Sequence, residues 1–302
     1  MTATTEMTAP AVPDRYPTRV AKPESFGRRD PVVYEGESGP LSRFQLNSFD
    51  RNGYIVIDQL LDDDEVDDLR QEMERLASPG SGVDPDRLVH EPYSKDVRSV
   101  FEVHKLSHIV AKLVADDRLA GAARQILGSD VYIHQSRVNR KPGFAGKEFA
   151  WHSDFETWHA EDGMPAPRCL SISVAMTPNY DCNGSLMIIP GSHRTFVATV
   201  GETPENNFLS SLKRQELGVP DQESLTRLVD KAGRIDTVVG PAGSALLFDC
   251  NCMHGSAGNM TPYPRSNFFV VYNSIENSIG RPYAAPAPRP EYIASRDFTP
   301  VS

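Results

Sequence analysis

The sequence predicts a mainly β protein, a barrel or sandwich with helices packed beside it. From Asp130 onward, short apolar runs recur that are rich in β-branched and aromatic residues and are bounded by Gly, Pro and Asn. Many short strands separated by turns are typical of antiparallel barrels and two-layered sandwiches. The strand candidates are VYIHQSRVNRK, CLSISVAM, SLMIIP, DTVVGP, SALLFDC and SNFFVVYNS.

Helices are predicted before these strands. A short strand at residues 54–57 follows an Asn-Gly turn signal, and an acidic segment comes next, as favoured in the first turn of a helix. Residues 105–127 also have helical character, with a stop at Gly128. The first helix has one apolar face, formed by Val66, Leu69, Met73 and Leu76.

The chain is expected to form one domain, residues 41–302, preceded by an extended arm. Residues 1–40 are rich in Pro, Thr, Glu and Arg, so the arm is expected to be partly disordered or packed against the body. Residues 195–234 are a polar, partly helical insertion of the kind that often forms a lid or binding loop. The Pro-rich tail after Asn277 is expected to be irregular.

Charge and targeting signals narrow the class of protein. A net charge of −10 argues against nucleic acid and anionic membranes as partners. The segment MTATTEMTAPAVPDRYPTRV has no apolar core of a signal peptide, and no run approaches the roughly 18 apolar residues of a membrane span. We therefore expect a cytoplasmic protein in which the four cysteines are reduced.

The segment FAWHSDFETWHAEDGMP holds the pattern that points to chemistry. Residues i and i+2 of a strand face the same side, so His152 and Asp154 could share one metal centre. His254, after the apolar strand SALLFD, would complete the two-histidine, one-carboxylate triad of non-haem Fe(II) oxygenases. A hairpin turn would then bring Arg265 back beside the metal, where a guanidinium suits the distal carboxylate of 2-oxoglutarate.

The same residues could also belong to other kinds of site. The C-x-C-x-H pattern of Cys250, Cys252 and His254 could indicate zinc, but it has no second ligand pair, and buried cysteine is the simpler interpretation. His193, in a Pro-Gly-Ser turn, is a rival third ligand for which a structural role is favoured. His159 is expected to hydrogen-bond in the wall of the site or among the residues directly behind it. Three other histidines have no partner pattern and are expected at the surface or on helices: His90, His104 and His108.

These motifs resemble the phytanoyl-CoA-dioxygenase-like branch of Fe(II)- and 2-oxoglutarate-dependent oxygenases, and within it the ectoine hydroxylases. The similarity extends through QSRVNRKPGFAGKEF, RCLSISVAMTPNYDCNGSLMIIPGSH and HGSAGNMTPYPRSNFFVVYNS. It implies a double-stranded β-helix core (a jelly roll, cupin-like) and hydroxylation of ectoine to 5-hydroxyectoine, with 2-oxoglutarate and O2 consumed and succinate and CO2 released. It also suggests a homodimer.

The resemblance also assigns residues. It implies Fe(II) ligation by His152, Asp154 and His254, and 2-oxoglutarate binding by Arg265, Asn139, Ser256 and Phe101. The residues that it implies for ectoine are Gln135, Thr157, Trp158, Asn267 and Phe269. Trp158 suits the delocalised positive ring of ectoine through a cation–π contact, and its polar neighbours argue against a core position, for which Trp151 is the better candidate.

Two main alternative functions remain at this point, with a zinc hydrolase as a third. One is a related oxygenase that hydroxylates another small zwitterionic, amino-acid-like substrate; an acyl-CoA substrate would need a basic phosphate patch, against which the acidic charge balance argues. The other is a non-enzymatic metal barrel that binds a compatible solute. Arg265 argues against the second, because a simple solute binder has no use for an oxoglutarate clamp. A zinc hydrolase would instead depend on zinc and take up no oxygen.

Overall fold

The computed structural model describes residues 13–36, 38–91, 96–212 and 214–302. The strands are β1 (Glu24–Gly27), β2 (Tyr54–Ile57), β3 (Leu88–His90), β4 (Val97–Phe101), β5 (Val131–Lys141), β6 (Phe149–His152), β7 (Cys169–Ala175), β8 (Leu186–Ile188), β9 (Thr195–Ala198), β10 (Asp236–Thr237), β11 (Ala245–Asp249), β12 (His254–Ser256) and β13 (Arg265–Ser274). The α-helices are α1 (Arg43–Asn52), α2 (Asp63–Ala77), α3 (Val103–Leu106), α4 (His108–Ala115), α5 (Ala122–Leu127), α6 (Asp154–Asp162), α7 (Phe208–Ser211) and α8 (Gln222–Ala232).

Two antiparallel sheets form the core of the fold. The large sheet has the strand order β2-β11-β7-β13-β5-β4-β3, and the small sheet has the order β10-β8-β12-β6. Consecutive strands repeatedly change sheet, so β11 and β13 lie in the large sheet while β12 lies in the small one. This is the predicted jelly roll with flanking helices, and the fold-class prediction is confirmed.

The two faces of the large sheet differ in polarity, and this difference places the site. Its outer face supplies Ile172, Val174, Phe268 and Val270 to the main apolar core, against α1, α2, α4 and α5. The helix α2 buries the four apolar residues that the sequence predicted, and Asp62 caps its first turn. The inner face carries Ser, Asn, Gln and Arg side chains, so the interior between the sheets is available for polar ligands.

The helix predicted over residues 105–127 is not continuous. Ser107 has extended backbone angles, and its side chain accepts a hydrogen bond from the Val110 amide, so α4 begins there. Asp116 repeats this arrangement towards Arg118, and a π-helical segment, Asp117–Gly121, leads into α5. Local capping by short polar side chains divides the segment, as such residues do when they compete with the helix for backbone groups. The predicted stop at Gly128 is confirmed by its left-handed backbone.

The described part of the amino-terminal arm, residues 13–36, lies against the body. β1 pairs with β9, the first part of the predicted insertion, so residues 195–198 are a strand and the helices α7 and α8 follow. Glu156, at 1% exposure, accepts hydrogen bonds from Thr18, Arg19 and Thr199. Residues 1–12 lie outside the described residues. The tail after Asn277 has no helix or strand, as expected.

The ion pair between Arg19 and Glu156 allows a stability prediction. Both side chains are almost fully buried, and Arg19 Nε lies 2.9 Å from Glu156 Oε1. Arg19→Ala leaves a buried carboxylate without its cation, and we expect it to lower the free energy of unfolding by about 3–5 kcal/mol. Urea unfolding of the wild type and R19A measures this. The double variant R19M/E156Q should recover most of the loss; a loss below about 1 kcal/mol for R19A would contradict the argument.

No helix among the described residues is long and apolar enough to cross a membrane.

Candidate active site

The first part of the site joins the small sheet to α6. His152 ends β6 and His254 begins β12, and the two residues are directly opposite each other in the antiparallel pair. Asp154 does not continue the strand, contrary to the prediction. Ser153 caps α6 instead, accepting a hydrogen bond from the Glu156 amide, and Asp154 is the first residue of that helix. The strand-to-helix turn still places Asp154 Oδ1 3.5 Å from His152 Nε2.

Hydrogen bonds orient both imidazoles towards a common point. Nδ1 of His152 lies 2.8 Å from the carbonyl of Ala150, and Nδ1 of His254 lies 3.0 Å from the carbonyl of Cys252. Because a carbonyl only accepts, each Nδ1 carries the proton and each Nε2 keeps a free lone pair. Such outer partners commonly fix the tautomer and ring orientation of metal-binding histidines. Ser171 Oγ similarly donates to Asp154 Oδ2 at 3.2 Å.

The protonation states in this cluster suit a divalent cation. Burial and the neighbouring His152 lower the pKa of His254 to about 4, so its imidazole is neutral near pH 7. Burial alone would raise the pKa of Asp154, but His254, His152 and Arg137 hold it well below its ordinary value. The neutral imidazole of His254 and the carboxylate of Asp154 are thus ready to act as metal ligands.

The donor set fits iron better than zinc. One ligand atom from each of His152, Asp154 and His254 lies within 4.8 Å of the others. Two histidines and one carboxylate with open positions are the donor set of non-haem Fe(II) oxygenases. Cys250 and Cys252 do not lie on a strand with His254. They lie in the turn between β11 and β12, buried in apolar clusters, as the simpler interpretation of the cysteines predicted.

The inner face of the large sheet forms the second part of the site. Arg137 on β5 is opposite Phe101 on β4 and Phe269 on β13, and Asn139 is opposite Asn267. Opposite residues on neighbouring strands share a face of the sheet, so these five side chains lie together on its inner face. The guanidinium of Arg137 lies over the Phe269 ring at 5.2 Å from its centroid.

A cavity between the sheets joins this face to the metal ligands. The described residues that line it are Arg98, Ser99, Phe101, Arg137, Asn139, Arg140, Lys141, Phe149, His152, Leu186, Leu212, His254, Gly255, Ser256, Arg265 and Phe269. Five of these carry cationic side chains, and none is Asp or Glu. The cavity therefore favours an anionic ligand beside the two histidines.

Arg265 reaches the cavity by a different route from the predicted one. β12 and β13 belong to different sheets, so the connection between them is a crossover and not a hairpin. Arg265 starts β13 opposite Lys141, and it is 8% exposed. Burial lowers its pKa to about 10, and no ion pair with a described carboxylate offsets that cost. A buried guanidinium of this kind is suited to a carboxylate supplied by a ligand.

Four of the predicted substrate residues do not line this cavity. Gln135 donates to the carbonyl of Ile293 and accepts from Arg137, while Thr157 lies 3.4 Å from Gln215. Asn267 donates to Ser173 in a small neighbouring cavity that it shares with Arg265. Trp158 is 3% exposed and packs in an apolar cluster, whereas Trp151 is only partly buried, the reverse of the predicted order.

Two histidine expectations have different outcomes. His193 is structural, as predicted: it is fully buried and its Nε2 lies 3.0 Å from the carbonyl of Asp50. Of the two places expected for His159, the wall of the site is wrong, because His159 does not line the cavity. Its Nε2 lies 3.0 Å from Asp14 of the amino-terminal arm, and its ring stacks on Tyr283 at 4.0 Å.

Sequence reasoning missed Arg137, Lys141 and His134. The first two lie on the predicted strand VYIHQSRVNRK, at positions that share the period of Gln135 and Asn139, so the alternation could have found them. His134 is fully buried beside Trp158, with a centroid separation of 5.0 Å. No regular alternation would have indicated it, because β5 has a register shift at that residue.

Comparison with known proteins agrees with this geometry. The family model described as phytanoyl-CoA dioxygenase (PhyH) matches residues 49–267. An ectoine dioxygenase of Nocardia farcinica is 57% identical over 289 residues, covering 95% of each chain. The chain belongs to the phytanoyl-CoA dioxygenase family. Within this family it belongs with the ectoine dioxygenases.

Solved structures support the same family placement. The crystal structure of EctD from Sphingopyxis alaskensis with 2-oxoglutarate and 5-hydroxyectoine has a TM-score of 0.85 and 46% identity, covering 95% of this chain and 96% of that chain. The structure of the same protein with bound Fe gives the same TM-score, identity and coverage. The residues of this phytanoyl-CoA dioxygenase family member that would hold iron are the two histidines and the aspartate described above.

Proposed function

We propose that this protein hydroxylates ectoine to 5-hydroxyectoine, using Fe(II), 2-oxoglutarate and O2 and releasing succinate and CO2. The observation that carries the proposal is the convergence of His152, Asp154 and His254 on one point beside a cationic cavity that holds Arg265. Similarity to ectoine dioxygenases over nearly the whole chain supports ectoine as the substrate. Bound Fe(II) would activate O2, which is the oxidant: one oxygen atom would enter a C–H bond of ectoine, and the other would enter the succinate that forms as 2-oxoglutarate loses CO2.

Arg265 and Lys141 would bind the co-substrate. 2-Oxoglutarate is a dicarboxylate, and a guanidinium can hold one of its carboxylates through two parallel hydrogen bonds. Lys141 Nζ donates to Ser256 Oγ at 2.8 Å, so the two side chains act together beside Arg265. Asn139 lies 2.7 Å from Ser99 on the same wall, and Phe101 contributes an apolar surface. These groups would orient the co-substrate and exclude water from it.

Arg137 and Phe269 would provide the first contacts for ectoine. Ectoine has a carboxylate and a delocalised cationic ring, which require a donor and an aromatic face, respectively. Arg137 lies in the cavity beside Phe269 and offers the donor. Gln135 contacts Arg137 directly, and Trp158 lies one helical turn from Asp154 on the same face of α6, so both would act at the buried end of this substrate site.

The proposal is tested by a single aerobic reaction. Protein loaded anaerobically with Fe(II), 2-oxoglutarate and ectoine is exposed to O2, and the solute and succinate are measured by mass spectrometry. We expect ectoine to gain one oxygen atom in equal amount with succinate. Succinate with unchanged ectoine would overturn the substrate; absence of succinate with every small zwitterion tested would favour a non-enzymatic solute binder. A reaction supported by zinc, without oxygen uptake, would indicate hydrolase chemistry.

Co-substrate binding should be linked to proton uptake through Lys141. Burial and the neighbouring Arg265 lower the pKa of Lys141 to about 7, so at pH 8 most of this amine is neutral before binding. A bound carboxylate favours the charged form of Lys141 and raises its pKa. Binding of 2-oxoglutarate should therefore be accompanied by uptake of as much as about one proton at pH 8, and of far less at pH 6. Calorimetry in buffers of different ionisation enthalpy measures the uptake. K141M should abolish it; equal uptake in both proteins would assign it elsewhere.

Similarity to the ectoine dioxygenases supports a homodimer, and a cytoplasmic location is proposed from the sequence itself. All four cysteines are free thiols, as such a compartment maintains them. Light scattering on the purified protein measures the assembly directly, and a mass of one chain would contradict the dimer.

A further inference from the structure

A β-bulge in β5 gives His134 an unusual position. Val271 of β13 pairs with Gln135, and the next residue, Tyr272, pairs with Ile133, so His134 is the extra residue with no partner on β13. Bulges redirect a side chain relative to the regular alternation of a strand, and they are frequent next to active sites. Here the imidazole is directed to α6, where it lies edge-on to the indole of Trp158 at 61° between the ring planes.

Asp162, paired with Arg289, lies on the other side of this imidazole. Nε2 of His134 lies 3.4 Å from Asp162 Oδ2, close enough for a charge interaction but without the geometry of a hydrogen bond. Arg289 donates to both oxygens of Asp162, from Nε at 2.8 Å and Nη2 at 2.5 Å. Asp162 and His134 are fully buried and Arg289 is 7% exposed, so the three form one buried polar unit.

The same unit connects the helix of the metal ligand to the strand of Gln135. Asp162 ends α6, whose first residue is Asp154, and Trp158 lies midway between them. The backbone carbonyl of His134 accepts from Ser295, and the neighbouring Gln135 donates to the carbonyl of Ile293. The carboxy-terminal segment that supplies Arg289 thus closes over both residues.

Burying an apolar ring at position 134 would cost less free energy than burying this histidine. Neither ring nitrogen of His134 has a hydrogen-bond partner among the described residues, although the ring is completely buried. A buried polar group without partners is unfavourable, and its presence calls for an explanation beyond packing. Among the described residues, His134 is not part of the group of metal ligands and does not line the cavity. Direct catalysis by His134 therefore does not explain why a histidine is buried here.

We propose that His134, packed between Trp158 and Asp162, is a positioning residue that fixes the indole of Trp158 at the buried end of the proposed substrate site. The inference rests on the proposed function. His134 lies at the substrate end of the site, which β5 and the carboxy-terminal segment hold in place. The co-substrate end, at Arg265, is a different part of the site. Changes at His134 should therefore alter the handling of ectoine and leave that of 2-oxoglutarate unchanged.

The test compares His134→Phe with a matched control, His193→Phe. Both histidines are fully buried and have a nitrogen without a hydrogen-bond partner, but His193 lies against Asp50, on another part of the body. For H134F we expect KM for ectoine to rise roughly 3- to 30-fold, because a misplaced indole would lose its cation–π contact with the substrate. KM for 2-oxoglutarate should be unchanged, and Tm should be equal or higher. For H193F we expect a lower Tm with both KM values unchanged.

Fluorescence provides a readout that does not need turnover. Trp158 and Trp151 are the two tryptophans, so Trp151→Phe leaves Trp158 as the single emitter. Adding H134F to W151F should change the Trp158 emission and weaken its response to added ectoine. An unchanged spectrum and response, or KM values for both substrates that rise together with a fall in Tm, would overturn the inference. If the wild type shows no ectoine turnover, the proposed function fails, while the emission comparison still decides whether His134 orders the indole.

Discussion

Asp154→Ala is expected to abolish ectoine hydroxylation and the binding of iron together. Asp154 is the one carboxylate of the triad, and it is ionised because His254, His152 and Arg137 surround it. Loss of an outer partner of a metal ligand typically costs about 10–100-fold in affinity or activity, so loss of the ligand itself should cost more than about 100-fold. Iron content by elemental analysis and product formation by mass spectrometry measure the two effects.

Ser171→Ala is the control for this substitution. It removes only the hydroxyl that donates to Asp154 Oδ2, and it leaves all three candidate ligands in place. We expect a smaller loss, within about 100-fold, that excess Fe(II) partly restores. Wild-type iron content in D154A would remove Asp154 from the proposed metal centre, and the carboxylate would then need another explanation.

Arg265→Leu is expected to have opposite effects on activity and stability. In the absence of ligand, Arg265 is a buried cation whose pKa burial lowers to about 10. An apolar side chain of similar volume removes that cost, so the ligand-free variant should be at least as stable as the wild type. KM for 2-oxoglutarate should rise by roughly 30- to 5000-fold, because removing one partner of a buried charge pair costs about 2–5 kcal/mol.

Thermal unfolding with and without 2-oxoglutarate separates these effects. The co-substrate should raise the Tm of the wild type and leave that of R265L unchanged, since ligand binding stabilises the state that binds it. Arg265→Lys retains the charge but not the fork of donors, and we expect an intermediate KM. Iron binding should be normal in both variants. If R265L has the KM of the wild type for 2-oxoglutarate, then Lys141 or another cation of the cavity, and not Arg265, binds the distal carboxylate.

Two kinds of feature could be predicted from the sequence. The apolar patterns located α2 and five of the seven strands of the large sheet (β2, β5, β7, β11 and β13), because side chains that alternate or recur at helical spacing must bury one face. The residue chemistry of His152, Asp154, His254 and Arg265 indicated iron with a dicarboxylate, since those donor types suit that pair of ligands. Resemblance of long segments to ectoine hydroxylases then indicated the substrate class and the jelly roll.

The tertiary structure decided how those residues meet. Asp154 joins His152 through a capped helix and not along a strand, and Arg265 arrives by a crossover between sheets. The shift of register that places His134 beside Trp158 breaks the alternation from which a strand is read. The burial of Glu156 and Asp162 depends on Arg19 and Arg289, which lie far away in the chain. Local sequence determines which faces and donors exist, but pairing between distant segments determines which of them share a site, because ion pairs and sheet contacts form across any separation along the chain.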